Sequence, residues 1–291
     1  MGHENWTVES PTFRGHPRIL QIIQGSWMSS TLELTQFCDG SAYLSHMERI
    51  RGARGQALDE SIYTTPLMYQ GVSDKFLIWC AMIHAFPYEY KTDFEAEVGV
   101  VIDDVPMGIK AEHAGHYIRY VTIINDISLR AFCAEEIQTG FGFLQGKPHS
   151  ALGKWSVPVS ALDKDIWHDN KLHGTMIIEL NDEQVGKIHT SKEMHFDFGQ
   201  LIAHAAKTRA LSKGTLIGSG TVSSSDPNDG FGCLMERNIV TNNKDYLNVG
   251  VKILKSSESI IENSDIIISV NPLDIEYEKI SKNTKSKIFI G

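Results

Sequence analysis

The stretch FEAEVGVVID, from Phe94 to Asp103, says more about the fold than any other part of the sequence. Its first residues alternate between apolar and acidic, and the remainder is almost continuously apolar. This order is typical of a strand that runs from a solvent-exposed edge into a core. Because side chains two residues apart lie on the same face of a strand, Glu95 and Glu97 should project together. Two such carboxylates repel each other unless a cation lies between them. On this pattern alone, a solvated strand face with Lys or Arg across the ladder is the commoner arrangement.

Other segments of the sequence predict further strands and one helix. His116 to Ile127, HYIRYVTIINDI, is rich in β-branched and aromatic residues and predicts a second strand. Residues 174–180 and 184–188, separated by Asn181-Asp182, predict a hairpin. In DFGQLIAHAAKTRAL, Asp197 is suited to cap an amphipathic helix that ends near residues 207–209. The combination predicts a mainly β or α+β fold rather than alternating βαβ units.

Composition narrows the class of protein. The chain has 291 residues, of which 42% are hydrophobic and 22% charged, so disordered and low-complexity classes are excluded. The formal net charge of -9 disfavours nucleic acid or an anionic membrane as the main partner. The sequence has no apolar run of about 18 residues, and Met1 to Thr12 lacks the apolar region of a signal peptide. We therefore expect a cytoplasmic globular protein. Isolated thiols, expected to be buried in a reducing compartment, are Cys38, Cys80, Cys133 and Cys233.

Two glycine-containing segments look like nucleotide or nucleophile motifs but lack essential positions. FGFLQGKP contains Gly146 and Lys147, yet Phe141 stands where a phosphate-binding loop needs Gly, and Pro148 where it needs Ser or Thr. GTLIGSGTVSSSD has no third glycine three residues after Gly220, and it contains no G-x-S-x-G. Neither segment supports nucleotide binding or a serine triad.

Two more acidic residues lie beside predicted strands. Asp126 follows an apolar strand and Asp39 precedes Gly40, and aspartates at such positions are usually turn or capping residues. Together with Glu95 and Glu97, and without nearby His or Cys, they would suit Mg²⁺ or Ca²⁺ better than zinc. Their spacing along the chain does not establish that the four carboxylates converge.

Seven segments between about Gln36 and Arg237 resemble the fumarylacetoacetate hydrolase family and follow that family's order. The segments are FCDGSAYLSHMERIRGARG, PLMYQGVSD, TDFEAEVGVVIDDVPMG, INDISLRAF, GFGFLQGKPHSAL, FDFGQLIAHAAKTRAL and IGSGTVSSSDPNDGFGCLMER. The resemblance is to the bacterial fumarylacetoacetase-like branch. It implies a mixed β-sandwich roll and a homodimer.

The resemblance also implies roles for individual residues. His46 matches the general base, Glu236 the carboxylate that orients this histidine, and Lys147 the cation that stabilises the developing oxyanion. Taken singly, each would be an ordinary surface residue. The positions that match ligands of Mg²⁺ or Ca²⁺ are Asp39, Glu95, Glu97 and Asp126. The positions that match substrate contacts are Tyr69, Arg130 and Thr221.

The activity implied is cleavage of a C–C bond in an anionic β-diketo acid. Fumarylacetoacetate, an intermediate of tyrosine and aromatic amino-acid catabolism, would give fumarate and acetoacetate. His46 would activate a water, and the metal would stabilise the enolate leaving group. Two alternatives stay open: a related metal-enolate enzyme (hydratase, isomerase or oxaloacetate-type decarboxylase), or a catalytically compromised homologue. The implied partner is a small acid, with no nucleic acid and no membrane.

The amino-acid composition of the chain changes after Arg237. From Asn238 onward there is no Arg, Ala, His, Gln, Met, Cys or Trp. We therefore expect three parts: a divergent N-terminal segment (1–35), a catalytic domain (36–240) and an atypical C-terminal tail (241–291). Within the tail, ENSDIIISVNPL resembles a segment of the nicotinamide nucleotide transhydrogenase α subunit.

Overall fold

A computed structural model describes residues 27–28, 32–53, 55, 59–78, 81, 83, 86–180, 183–242, 266–268 and 288–290. Its α-helices are Leu44–Ala53 (α1), Ala111–Ala114 (α2), Arg130–Thr139 (α3), Phe198–Ala205 (α4) and Leu234–Thr241 (α5). Its strands are Trp27–Met28 (β1), Gln36–Gly40 (β2), Met68–Gln70 (β3), Thr92–Asp93 (β4), Ala96–Ile102 (β5), Ile118–Asn125 (β6), Ser128–Leu129 (β7), Ala151–Leu152 (β8), Trp155–Pro158 (β9), Trp167–His168 (β10), Lys171–Leu172 (β11), Thr175–Leu180 (β12), Glu183–His189 (β13), Thr215–Gly218 (β14), Ile266–Ile268 (β15) and Ile288–Ile290 (β16).

The largest sheet has eight strands in the order β1-β9-β6-β5-β14-β2-β3, with β8 also paired to β6. Its pairs are antiparallel except for β14 and β2, which run parallel near the centre. The strands expected over residues 94–103 and 116–127 are confirmed as β5 and β6, which pair directly. Two strands predicted from local pattern therefore lie side by side in the sheet that carries the candidate site.

A second sheet has the order β13-β12-β15-β16. The hairpin expected over residues 174–188 is confirmed as the antiparallel pair β12 and β13, which has a register shift between Ile178 and Glu179. Its turn residues, Asn181 and Asp182, lie outside the described residues. Strands β15 and β16, from the C-terminal tail, continue this sheet in parallel to β12. The prediction of a mainly β or α+β fold is confirmed.

Helix α4 begins where its sequence predicts. The Asp197 side chain accepts a hydrogen bond from the Gln200 N–H (3.1 Å), and the Gln200 side chain accepts one from the Asp197 N–H (2.9 Å). These two bonds form a capping box. The helix ends at Ala205, before the expected end near residues 207–209. The Lys207 N–H bonds to the carbonyl of His204, three residues back, so the last turn tightens instead of continuing.

The main core lies between the large sheet and α4. Val98 and Val100 of β5 belong to the same buried cluster as Phe198, Leu201 and Ile202, the apolar stripe of α4. Full burial of such a side chain stabilises the fold by about 1.5–3 kcal/mol. The helix therefore holds the sheet from one face, and this packing fixes the positions of the strand ends.

Two expectations from composition are also tested by the structure. Within the described ranges, no helix is long and apolar enough to cross a membrane. Cys38, Cys133 and Cys233 are free and buried, as expected for isolated thiols. Cys80 lies outside the described residues.

Candidate functional site

Three carboxylates from distant parts of the chain meet at one end of the large sheet. Asp39 lies near the end of β2, Glu97 near the start of β5, and Asp126 directly after β6. Each offers an oxygen within 4.8 Å of the others. All three side chains are buried. The structure therefore brings together three of the four acidic residues predicted to bind a metal.

A glycine makes room for this convergence. Strand β14 lies between β2 and β5, and Gly218 is in register with Asp39 on one side and Gly99 on the other. A Cβ atom at Gly218 would lie 2.2 Å from Asp39 Oδ1 and 3.0 Å from Glu97 Oε2. Because real Cβ atoms do not approach oxygen so closely, any other residue would push the two carboxylates apart.

Within this cluster, Glu97 differs from Asp126, which accepts a hydrogen bond from Lys147, and from Asp39, which accepts one from the Gly220 N–H (3.1 Å). Neither oxygen of Glu97 accepts a hydrogen bond from the described residues, although both are buried. Burial, and then repulsion from Asp126, raises the pKa of Asp39 to about 8. Burial, and then repulsion from Asp39, raises the pKa of Glu97 well above its ordinary value. Buried oxygen ligands without partners fit a hard divalent cation, which would supply the missing positive charge.

Glu95, the fourth predicted ligand, lies beside the cluster and is paired with two cations. The Lys147 ammonium donates to Glu95 Oε2, to Asp126 Oδ2 (2.6 Å) and to Ser128 Oγ (2.8 Å). Arg130 Nη2 lies 2.9 Å from Glu95 Oε1. Burial alone would raise the pKa of Glu95, but Arg130 and Lys147 outweigh it and hold this pKa well below its ordinary value. Lys147 thus links the Glu95 carboxylate to the three-carboxylate cluster.

Asp126 is also held by neutral donors. The Ser150 hydroxyl donates to Asp126 Oδ1, and the Tyr69 hydroxyl donates to Asp126 Oδ2. Tyr69 lies on β3, in register with Asp39 of β2, and its ring centre lies 5.4 Å from Lys147 Nζ. The tyrosine predicted to contact substrate is therefore part of the same site.

Asp93 is a residue of this region that the sequence analysis missed. Its carboxylate accepts hydrogen bonds from Arg130 Nε (2.8 Å) and from the backbone N–H groups of Leu234 (2.7 Å) and Met235 (3.0 Å). The last two groups belong to the first turn of α5. The signal was present in the sequence, because Asp93 continues the alternation of acidic and apolar residues that contains both glutamates. Asp93 joins the cationic side of the site to α5.

His46, which is partly exposed, and Glu236, which is buried, form a pair between α1 and α5. His46 Nδ1 lies 3.0 Å from Glu236 Oε1, and the Ser223 hydroxyl donates to the same oxygen (2.7 Å). Burial alone would raise the pKa of Glu236, but the hydrogen bond to His46 and further donors outweigh it and lower this pKa. An ionised Glu236 keeps the imidazole proton on Nδ1 and leaves the Nε2 lone pair free to accept a proton.

A second group of possible metal ligands includes this pair. His46, Cys233 and Glu236 also offer atoms within 4.8 Å of one another. The Glu236 carboxylate already accepts hydrogen bonds from His46, from Ser223 and from the Gly232 N–H (3.3 Å). Since these donors occupy both of its oxygens, the three-carboxylate cluster is the better candidate for a metal.

Eight of the ten predicted site residues line one cavity of about 170 Å³, whereas Asp126 and Glu236 do not. Its polar lining includes Asp39, His46, Tyr69, Glu95, Glu97, Arg130, Lys147 and Thr221. Its apolar lining includes Ile50, Ile137, Phe143 and Met235. Thr221 Oγ1 is buried and has no hydrogen-bond partner among the described residues. A larger cavity of about 400 Å³ lies elsewhere, and none of the predicted site residues lines it.

Comparisons with known proteins were made for the sequence and for the fold. The family model described as fumarylacetoacetate (FAA) hydrolase C-terminal matches residues 35–261. No curated protein matches the chain. These findings do not support the likeness of the tail to the transhydrogenase α subunit.

Solved structures share the fold at low identity. One is fumarylpyruvate hydrolase from Pseudomonas aeruginosa in complex with Mn²⁺ and pyruvate: TM-score 0.53, 15% identity, covering 65% of this chain and 78% of that one. Another is 5-carboxymethyl-2-hydroxymuconate delta-isomerase from Mycobacterium smegmatis: TM-score 0.50, 20% identity, covering 65% and 68%. At such identities the likeness concerns the fold, and it agrees with the expected mixed β roll. Because the family model spans most of the sequence, the chain belongs to the fumarylacetoacetate hydrolase family.

Proposed function

We propose that this protein is a metal-dependent hydrolase that cleaves a C–C bond in a β-diketo acid such as fumarylacetoacetate. The observation that carries the proposal is the pair of buried Glu97 oxygens, which have no donor in the described part of the chain and lie beside Asp39 and Asp126. The His46–Glu236 pair supports it, since His46 lines the cavity that Asp39 and Glu97 also line. Members of this family are hydrolases or isomerases, so the specific reaction is the part that needs a test.

Asp39, Glu97 and Asp126 would hold the cation, Mg²⁺ or Ca²⁺, with Glu95 at its side. When bound, the cation would supply a Lewis acid that lowers the energy of an enolate leaving group. The carboxylate oxygens of Asp39, Glu97 and Asp126 would hold this cation in place. Glu95 and Asp126 also accept hydrogen bonds from Lys147, so they hold its ammonium group beside the cluster.

His46 acts as the general base. Its Nε2 accepts a proton from a water whose oxygen bonds to the substrate carbonyl carbon. The C–C bond then breaks, its electron pair stays with the leaving carbon, and that carbon receives the proton held by His46. Glu236 stabilises the imidazolium during these steps, and it stays ionised because its pKa is lowered.

Lys147 provides positive charge where the oxyanion develops. All three of its ammonium protons have partners in this structure, so a substrate oxygen must replace one of these partners. Donors positioned in a buried site are typically worth a few kcal/mol of transition-state stabilisation each. Arg130, Tyr69 and the unpartnered Thr221 hydroxyl complete the proposed substrate contacts.

The test combines a substrate panel with metal removal and one variant. We expect hydrolysis of fumarylacetoacetate or fumarylpyruvate, its loss with EDTA, and its return with Mg²⁺ or Ca²⁺. His46→Ala should lower kcat by about 10²–10⁴-fold with a small change in KM. Hydrolysis that persists in EDTA, or an unchanged kcat in the variant, would contradict the mechanism.

The second candidate is a related metal-enolate reaction, and it is favoured by the fold shared with the isomerase from M. smegmatis. Product analysis on 5-carboxymethyl-2-hydroxymuconate and oxaloacetate separates isomerase and decarboxylase from hydrolase. Turnover of either compound, without cleavage of a diketo acid, would replace the hydrolase assignment.

We also propose that the protein acts as a homodimer in the cytoplasm, within aromatic amino-acid catabolism. The family resemblance supports this proposal, and two apolar side chains on one loop, Phe141 (98% exposed) and Leu144 (86%), are compatible with a covered surface. Light scattering coupled to size-exclusion chromatography measures the mass; a value near the 32.5 kDa of one chain would contradict the dimer.

A further inference from the structure

Lys147 lies at the end of a loop that follows α3. We call residues 140–147, which follow α3 and end at the lysine, the lysine loop. Gly140 and Gly142 have φ values of +74° and +104°, which other residues rarely adopt. Phe141 and Leu144 are almost fully exposed. In this first part of the loop, Phe143 packs edge-to-face against Tyr69, with the ring centres 5.0 Å apart.

Glu136 on α3 binds the second part of the lysine loop through its carboxylate. Oε1 accepts hydrogen bonds from the backbone N–H groups of Leu144 (3.1 Å) and Gln145 (2.7 Å). Oε2 accepts them from Leu144 (3.1 Å) and Gly146 (2.9 Å). Three consecutive N–H groups that point at one anion are a recurrent way to fix a backbone turn. These bonds hold the pKa of Glu136 below its ordinary value, although its partial burial acts in the opposite direction.

The turn held by Glu136 ends one residue before Lys147. The Gly146 carbonyl accepts hydrogen bonds from the Leu129 N–H (2.8 Å) and from Cys133 Sγ (3.2 Å). A Cβ atom at Gly146 would lie 2.7 Å from Cys133 Sγ and 3.0 Å from Glu136 Oε2, so this segment lies directly on α3. The start of the Lys147 side chain is therefore set by the contact between the loop and the helix.

We propose that Glu136 is a positioning residue that fixes the lysine loop so that Lys147 reaches Glu95 and Asp126. The kinetic part of this inference rests on the proposed function. Hydrogen bonds to an ionised acceptor are roughly twice as strong as those to a neutral one, so charge as well as size is needed at this position. A glutamine would keep the size, but its amide group would face N–H donors with a donor of its own.

The experiment compares Glu136→Gln with Glu135→Gln, an exposed neighbour on the same helix, and with Lys147→Met. Glu136→Gln should speed amide hydrogen exchange at residues 144–146 by tenfold or more. Misplacing a group by about 1 Å can cost about 10²-fold in rate, so kcat should fall by about 10–10²-fold while KM stays within threefold. Glu135→Gln should match the wild type within twofold in every measurement.

Two further measurements show whether Glu136 acts through Lys147. In the Lys147→Met background, adding Glu136→Gln should lower kcat no further. Lys147→Met removes a cation from Glu95 and Asp126. The variant should therefore bind Mn²⁺ more tightly than the wild type, as measured by titration calorimetry. Glu136→Gln should shift Mn²⁺ affinity in the same direction.

The outcomes separate this inference from the proposed function. If the wild type hydrolyses no diketo acid, the proposed function fails, and the Mn²⁺ comparison then decides the role of Glu136. Faster exchange in Glu136→Gln with unchanged kcat and unchanged Mn²⁺ affinity would overturn the inference. A further loss of kcat in the double variant would also overturn it, because Glu136 would then act independently of Lys147.

Discussion

Glu97 is the residue of the proposed metal site that most clearly lacks a protein partner in the part of the chain that the structure describes. Both of its oxygens are buried without a hydrogen-bond partner among the described residues, and its pKa is raised well above the ordinary value, first by burial and then by Asp39. Glu97→Gln should weaken Mg²⁺ or Mn²⁺ binding by tenfold or more, because one charged ligand is lost. In EDTA, the same variant should unfold at an unchanged or higher temperature, because the glutamine removes the cost of burying an acid whose pKa is raised on folding.

Calorimetric titration and thermal melts measure both effects. Glu183→Gln, at an exposed position of β13, is the matched control and should change neither. A Glu97→Gln variant that binds the metal as tightly as the wild type would remove Glu97 from the ligand set.

Glu236 gives the stability of the protein a defined dependence on pH. Its pKa is lowered in the folded state, while an unfolded glutamate titrates near about 4.3. The stabilisation from its charged form is therefore complete above about pH 4.3 and is lost as the pH falls through the lower, folded value. Glu236→Gln lacks this contribution. The difference in the free energy of unfolding between wild type and variant should be largest near neutral pH and should shrink below about pH 4.3.

Urea denaturation at several pH values measures this difference. A constant difference across the acid range would mean that the charge of Glu236 does not stabilise the fold. The direction matters because a raised pKa would give the opposite trend.

At the scale of the elements, Asp93 connects β4, α3 and α5. Its carboxylate binds Arg130, the first residue of α3, and the first N–H groups of α5. Removing one partner of a buried pair typically costs about 3–5 kcal/mol, so Asp93→Asn should lower the free energy of unfolding by roughly that amount. Asp103→Asn, which breaks the exposed pair with Arg119 (3.1 Å), should cost less than about 1 kcal/mol.

Chemical denaturation of the two variants tests this comparison. If both variants lose the same free energy of unfolding, Asp93 contributes no more to stability than the exposed Asp103 does. A loss confined to Asp93→Asn would place the junction of α3 and α5 among the main polar contacts of the fold.

Elements with strong local patterns could be predicted from the sequence. β5, β6, the β12–β13 hairpin and the cap of α4 each depend on residues close together in the chain. The partner of each strand was not predictable in this way. The parallel pairing of β14 with β2 joins residues 179 positions apart, such as Gln36 and Thr215. No local spacing contains that information.

In the candidate site, too, local patterns were predictable from the sequence and contacts between remote residues were not. Alternation placed Glu95 and Glu97 on one face of a strand, yet their partners differ because Lys147 and Arg130 contact Glu95 and not Glu97. Such contacts are decided by elements that are remote in sequence. The family resemblance supplied the remaining roles, and it did not indicate Asp93. The division at residues 35 and 240 stays a prediction.

At the scale of the whole molecule, a bound cation should stabilise the fold by mass action. A ligand that binds only the folded state adds about 2.7 kcal/mol when its concentration is 100 times Kd. The wild type should therefore melt at a higher temperature in millimolar Mg²⁺ or Ca²⁺ than in EDTA, while Glu97→Gln should show a smaller shift. Differential scanning calorimetry at constant ionic strength separates this effect from charge screening. An equal shift in both proteins would indicate non-specific salt stabilisation.

The position of β14 has a consequence for the assembly of the protein. Because this strand enters between β2 and β5, the sheet lacks its middle member until residues 215–218 have been synthesised, and the helix that bears Glu236 comes later still. Pairings of such long sequence separation form slowly. In a refolding experiment, enzymatic activity should thus return late and in a single step, after the β5–β6 hairpin has formed. Nascent chains that end before Gly218 should have no activity.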